Sequence, residues 1–375
     1  MFCSFLNFKK CLLLKTFATA NKSINSKSFN KGDNKQAYTN EDLKIMQGWS
    51  LDRKIQVTQT RILEWYQKWN GQVYVSFSGG KDSTVLADLA ARVCKLLNEK
   101  LVLWFSNTGL EYPELSQHTK KYADYLIDKY GIEVELIIDY PKDKKTGKRI
   151  TFKDVILTYG YPVISKEVSQ VIEEARRNAT TGKYTYRIKR LNGELLDKNG
   201  NKSIYNCEKW KFLMDAPYKI SNKCCNEMKK KPAKKFEKET GRKPIIGTMA
   251  NESQARKTAW KIHGCNAFDG KRPSSQPMSF WTEKDVFKYI KDFELPYASV
   301  YGDILTDSKG KYYTTGCSRT GCMFCAYGCH LEKEPNRFQK LKETHPKVWE
   351  YCIKSVENGG LGMKEVLEYI GVKIE

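Results

Sequence analysis

Ser78-Gly79-Gly80-Lys81-Asp82-Ser83-Thr84 has the residue types and the spacing that phosphate chemistry needs. Two glycines let a backbone turn tightly and bring N–H groups close to oxygen atoms. The run follows a short apolar stretch and opens a helical one, so a helix N-terminus adds partial positive charge at the same point. Ser78, Ser83 and Thr84 supply hydroxyls, and Lys81 a point charge. The G-x-x-x-x-G-K-[ST] spacing is absent, so this is not a Walker A loop.

A second group is thiol-based. Six of the twelve cysteines fall in two tight clusters, Cys224-Cys225 and Cys317-x4-Cys322-x2-Cys325-x3-Cys329, the latter followed by His330. A secreted disulfide scaffold would be short and would spread its cysteines along loops. A Cys-x2-Cys turn presents two thiolates to one ion or cluster, and four thiolates suit zinc and iron–sulfur alike. A zinc ion on Cys317, Cys322, Cys325 and Cys329 is one arrangement that the spacing permits. Isolated Cys94, Cys207 and Cys265 read as small core residues. His118, His263 and His345 read as surface or capped histidines.

The elements that must position these groups follow from periodicity. Val73 to Phe77, Leu101 to Phe105 and Glu133 to Ile138 are short β-branched and aromatic runs, and Pro244 to Thr248 is a fourth. Helical patterns at Ser83 to Leu97 and Glu114 to Lys129 separate the first three. That rhythm predicts an α/β fold, a parallel twisted sheet with flanking helices, plus a small Cys-rich C-terminal region. Thr39 to Trp65 carries two more helices, with further ones at Lys153, Lys166 to Arg177 and Asp285 to Phe293. Tyr184 to Ile188 followed by Asn192-Gly193 predicts a hairpin within an insertion at about 182–206.

With these pieces in order, the chain resembles the PP-loop ATP pyrophosphatases, and within them the phosphoadenosine phosphosulfate (PAPS) reductase family, over roughly residues 71 to 330. Ser-Gly-Gly-Lys-Asp-Ser is that family's signature. Asn107 to Glu114 resembles the segment near the adenosine, and Ser221 to Cys225 the paired-cysteine motif. Gly247, Glu252, Ser253 and Arg256 resemble the motif that closes on the nucleotide, with Met249 where the family commonly has Arg. Trp281 to Val286 resembles the helix that follows.

The resemblance implies an adenine nucleotide alpha hydrolase-like fold and a set of roles. Ser78, Gly79, Gly80 and Ser83 would cradle phosphate oxygens, Lys81 and Arg256 would neutralise charge, and Asp82 would hold Mg²⁺. Assimilatory adenylyl-sulfate reductases bind a [4Fe–4S] cluster through a Cys-Cys pair and a distant Cys-x2-Cys, which Cys224, Cys225, Cys322 and Cys325 reproduce. Related sulfur-insertion enzymes, including those of DNA phosphorothioation, also use clusters. The family's reductases end in a Glu-Cys-Gly-Leu-His tail, whereas this chain ends in Glu368 to Glu375 without cysteine. The expectation is therefore an enzyme that binds ATP and adenylylates a substrate with pyrophosphate release, in sulfur transfer. A PAPS or adenylyl-sulfate reductase using an external thiol is the alternative, and an idle PP-loop scaffold with a metal-stabilised nucleic-acid-binding module is another.

Composition sets the remaining bounds. No apolar run approaches the roughly 18–20 residues that span a bilayer, so no membrane partner is expected. A net charge of +22 reads either as polyanion binding, with a nucleic-acid substrate, or as lysine decorating solvated faces. The basic runs show no RNA-binding signature with interleaved aromatics. A sulfur donor protein is a further expected partner, in the cytoplasm. Residues 1–38 read as a disordered, targeting or mis-start extension, and an organelle matrix follows if they are a transit peptide. Residues 39–70 read as N-terminal helices, 71–298 as the nucleotide-binding domain and 299–375 as the Cys-rich region.

Overall fold

The β-branched and aromatic runs become the sheet and the amphipathic ones its covering helices. The computed structural model describes residues 37–179 and 181–375. The expectation of a disordered, targeting or mis-start segment over residues 1–38 falls outside the described residues except at Ala37 and Tyr38. Tyr38 belongs to the fold instead, its N–H donating to the Lys261 carbonyl at 2.9 Å and its ring packing on Trp260. The chain divides into two units. The first comprises the chain through Phe105, then Pro113–Asp139 and Lys235–Arg319; the second comprises Ser106–Tyr112, Tyr140–Lys234 and Thr320–Glu375.

The first unit holds a six-stranded sheet built from β1 (Val73–Ser76), β2 (Leu101–Ser106), β3 (Val134–Asp139), Lys243–Ile246 and two short strands, Ser274–Ser275 and Asn266–Ala267. Across the sheet the order is β3, β2, β1, Lys243–Ile246, Ser274–Ser275, Asn266–Ala267. β1 runs parallel to both neighbours, with Val75 opposite Leu103 on one side and Ile245 on the other. The last strand is antiparallel to its neighbour. The chain leaves β1 for β2 and β3 and later returns to its other flank, so strand order reverses at β1. Ligands of open parallel sheets bind outside the carboxyl ends of the strands at such a reversal, and Ser78 follows β1 by two residues.

The N-terminal helices Asn40–Gln47 and Leu51–Lys68 belong to the same hydrophobic core, through Leu43, Ile62 and Trp65. Lys54 is buried and its ammonium bonds Asp285 at 2.7 Å and the Gln47 carbonyl at 2.7 Å. Trp281 donates its indole N–H to Thr58 at 2.8 Å. These bonds fasten the helix Glu283–Asp292 to the N-terminal pair.

The second unit is mainly helical, with a two-residue parallel pair, Val163–Ile164 with Ala326–Tyr327. Its predicted hairpin is instead the helix Tyr186–Leu191. Thr185 caps the start by accepting from Ile188 N–H, and Asn192 with Gly193 (φ +75°) ends it. A left-handed glycine after Asn terminates a helix as readily as it joins two strands. Among the described residues no helix is long and apolar enough to cross a membrane.

Candidate functional site

In the first unit the Ser78–Ser83 loop is held by its own hydroxyls. Ser78 Oγ lies 3.0 Å from Ser83 Oγ, and Ser83 Oγ donates to the Gly80 carbonyl at 2.9 Å. Gly79 has φ +72°, and a Cβ there would sit 2.8 Å from both the Leu115 carbonyl oxygen and Thr119 Oγ1. Only glycine fits. Gly247, at the end of the neighbouring strand, packs against the loop, since its Cβ would meet the Asp82 carbonyl at 3.2 Å.

The helix Lys81–Leu97 starts at Gly80 with no side chain capping it. Its Lys81 N–H donates to the Tyr301 hydroxyl at 3.0 Å. The Lys81 side chain is buried, with its ammonium 3.2 Å from Glu283, 3.6 Å from Asp82 and over the rings of Phe287 and Tyr301. Burial alone would lower its pKa, but Asp82, Tyr301 and Glu283 outweigh that and hold the ammonium charged. The Asp82 side chain is about a quarter exposed at 26 %, yet its Oδ1 is buried and has no hydrogen-bond partner. Burial pushes this carboxyl above its ordinary range, Lys81 offsets only part of the shift, and Glu252 and Glu283 add to it.

Glu252, Ser253 and Arg256 form one turn beside the strand Lys243–Ile246. Glu252 accepts from Met249 N–H at 2.8 Å and pairs with Arg256, while Ser253 caps the helix Gln254–His263. Met249, standing where an arginine was expected, is buried.

Three partners of the loop carried no sequence signal for this role. Tyr301 and Glu283 approach it from more than 200 residues away. His118, expected at the surface or in a cap, is 7 % exposed and its Nε2 lies 3.1 Å from Thr84 Oγ1. Burial pushes its pKa down to about 4.

In the second unit Asn107 accepts from Gly109 N–H at 3.2 Å and from Arg149, which stacks on Tyr140. Cys224, Cys225, Cys322 and Cys325 come together there. Met323 N–H donates to Leu110 O at 2.8 Å and Arg337 to Cys325 O at 2.9 Å, anchoring the Cys-x2-Cys turn. Burial raises Cys224, Cys322 (to about 11) and Cys325, and mutual proximity of the four thiols raises them further. Lys229 answers that charge, because Cys322 and Glu111 raise its pKa against the effect of burial. It sits in a single π-helical turn, Asn226–Lys230, directly after the cysteine pair. Such turns often mark functional sites.

Cys329 is buried and its thiol donates to the Ala326 carbonyl at 3.0 Å. Cys317 lies in the first unit. Cys94, Cys207 and Cys265 are buried, as their isolation implied. Among the described residues no three His, Cys, Asp or Glu side chains converge closely enough to hold a single metal ion.

Comparison with known proteins bears on this arrangement. The chain is similar to an uncharacterized protein of Methanocaldococcus jannaschii, 23% identical over 288 residues, which is 76% of this chain and 41% of that protein. It thus spans about two-fifths of that relative's length. Among solved structures, NMN synthetase from Francisella tularensis is 14% identical over 69% of this chain and 76% of its own, with a TM-score of 0.30. The U34-tRNA thiolase NcsA from Methanococcus maripaludis, solved with its [4Fe-4S] cluster, is 16% identical over 86% of this chain and 83% of its own, with a TM-score of 0.31. The family model of the phosphoadenosine phosphosulfate reductase domain matches residues 72–161 and 151–327, more than half of the chain and both candidate sites, and this protein belongs to that family.

Proposed function

We propose that the protein is a PP-loop enzyme that binds ATP at Ser78–Ser83 and adenylylates an acceptor oxygen, releasing pyrophosphate. The observation that carries this reading is Asp82 Oδ1, a buried carboxylate oxygen without a partner at the mouth of an uncapped helix. An orphaned buried acceptor costs roughly 1–3 kcal/mol, and a divalent cation beside the phosphates would satisfy it. The donor chemistry fits Mg²⁺, which prefers carboxylate and phosphate oxygens. Bound there, Mg²⁺ would supply charge neutralisation on the triphosphate and the departing pyrophosphate.

The remaining roles belong to the chain. Ser78, Ser83 and the glycine backbone orient the phosphates, Lys81 neutralises them, and Glu252 positions Arg256 for a further contact. Gly247 allows the loop to seat. The acceptor oxygen bonds to the α-phosphorus, the α–β bridging P–O bond breaks, and pyrophosphate leaves with the electron pair; the acceptor's proton is lost to water. An oriented donor set of this kind lowers the barrier by positioning and by electrostatics already in place.

Cys224, Cys225, Cys322 and Cys325 would hold a [4Fe–4S] cluster. Four thiols near enough to raise one another's pKa, with the Lys229 ammonium beside them, have the chemistry of a group whose ligand charge needs compensation. Bound there, the cluster would supply iron to which sulfur can be ligated, which links the adenylylated acceptor to sulfur transfer from a donor protein.

Calorimetry on anaerobically purified protein tests this with ATP, adenylyl sulfate and phosphoadenylyl sulfate, with and without Mg²⁺, using Lys81→Ala as the control. Mg²⁺-dependent ATP binding that the variant loses is the expected result. Tight sulfonucleotide binding with ATP ignored would overturn adenylylation in favour of a reductase. Failure of all three to bind would leave an idle scaffold.

A further inference from the structure

Lys183 to Phe212 contains eight Lys and Arg against three Asp and Glu. Its aromatic side chains stand outward: Tyr184, Tyr186 and Tyr205 are 53 %, 58 % and 60 % exposed, and Phe212 is 42 % exposed. Large rings at that exposure lose the burial that usually justifies them, and here they alternate with lysines. The basic run Lys183-Tyr184-Thr185-Tyr186-Arg187 therefore does interleave aromatics, contrary to the sequence expectation.

The backbone beneath this face is fixed. Arg190 donates to the Tyr205 carbonyl at 2.7 Å and to Glu167 at 2.6 Å. Cys207 N–H donates to the Arg190 carbonyl at 2.9 Å. Asn206 exchanges two bonds with Leu195, at 3.1 and 2.9 Å. The outward side chains thus project from a preorganised module, which lowers the entropic cost of binding.

Charge bookkeeping within the module is one-sided. Asp197 is satisfied by the Asn199 and Asn201 amides, Glu208 by Lys202, and Glu194 by the Tyr184 hydroxyl. Lys183, Lys189, Lys198 and Lys211 are exposed and make no ion pair among the described residues. Four uncompensated ammonium groups around outward tyrosines match a partner with alternating negative charge and flat apolar faces.

We propose that this face binds a single-stranded segment of nucleic acid, with bases stacking on Tyr186 and Tyr205 and phosphates meeting the lysines. Stacking platforms framed by basic side chains are how single strands are held without a groove to read. An acidic protein is the competing occupant, and it would need the charge but not the exposed rings. Occupancy here does not depend on the adenylylation reading, and each can fail without the other.

Fluorescence anisotropy of a labelled 12-nucleotide uridine RNA on the full chain, without ATP, tests the proposal. Tyr186→Ala with Tyr205→Ala is expected to weaken binding about tenfold or more, with the thermal midpoint unchanged because both rings are exposed. Phe at the same two positions restores binding, since the ring and not the hydroxyl stacks. Lys189→Ala with Lys211→Ala lowers the slope of log K against log salt by about 1.4, as two lost phosphate contacts require for a single strand. Binding that survives removal of both rings, binding to an acidic protein or duplex in preference to the single strand, or no binding would each overturn it.

Discussion

Asp82→Asn separates what the site costs the fold from what it provides to a ligand. At neutral pH the Asp82 carboxylate is disfavoured in the folded protein, because burial raises its pKa and Lys81 returns only part of that shift. An acid raised on folding keeps its proton longer in the native state than in the unfolded one. Stability therefore falls as pH rises from the ordinary carboxylate value through the raised one, and the loss is complete above it. Asn has the same shape and no charge, so it removes the penalty. Asn keeps a polar atom at the Oδ1 position, so the gain is only the part of the carboxylate's desolvation that Lys81 does not return, and Lys81 keeps Glu283 at 3.2 Å as its partner.

The assay is equilibrium urea denaturation of both proteins, with and without Mg²⁺–ATP. Without nucleotide, the Asn variant is the more stable at pH 7, and the gap closes below about pH 4 where Asp82 is protonated in both states. With nucleotide at 100 times its dissociation constant the wild type gains about 2.7 kcal/mol, and the variant gains little, so the order of stability reverses. A variant that is less stable without nucleotide would mean the 3.6 Å Lys81–Asp82 contact outweighs the burial of the carboxylate charge. A variant that keeps the Mg²⁺-dependent gain would remove Asp82 from the metal site. Either result refutes the reasoning.

Further outcomes follow from the same geometry. Gly79→Ala is expected to destabilise by roughly 2–4 kcal/mol, from left-handed strain and a clash with the Leu115 carbonyl that cannot swing away, and the urea midpoint reads it. His118 is held neutral at about 4, below its usual 6.5, so the unfolded chain binds the extra proton and roughly 3 kcal/mol is lost on acidification between those values. A His118→Phe variant flattens that part of the stability–pH curve. Anaerobic reconstitution yields about four iron and four sulfide per chain; Cys322→Ser loses them, and Cys329→Ser, whose hydroxyl keeps the bond to Ala326, does not.

The first three strands and the phosphate loop were legible because each is a local pattern. Val73 to Ser76 and Leu101 to Ser106 are apolar runs of strand length, and the Gly pair between strand and helix needs no distant partner to be recognised. The strands Asn266–Ala267 and Ser274–Ser275 were not, since two residues carry no period. Asn192-Gly193 misled because a left-handed glycine serves both a hairpin and a helix end, and Thr185 decides between them from seven residues away. Tyr301, Glu283 and His118 were missed for another reason: nothing in their own neighbourhoods says that a loop at residue 80 will meet them. The cysteine pair was legible, but the π-helical turn that carries Lys229 next to Cys322 has no sequence signature.

Helix starts in the first unit show what the phosphate loop forgoes. Thr39, Ser50, Ser253 and Thr282 each accept a first-turn N–H, and Thr39 and Thr282 complete capping boxes with Asp42 and Asp285. Each such cap contributes about 1 kcal/mol. At Gly80 the same chain places glycine and leaves the start uncapped, next to a glycine squeezed at φ +72° and a buried carboxylate oxygen without a partner. Local rules obeyed four times in one unit are broken three times within four residues. Stability withheld at one point is what a binding site needs, because a carboxylate oxygen already satisfied by the protein would have nothing left for a cation.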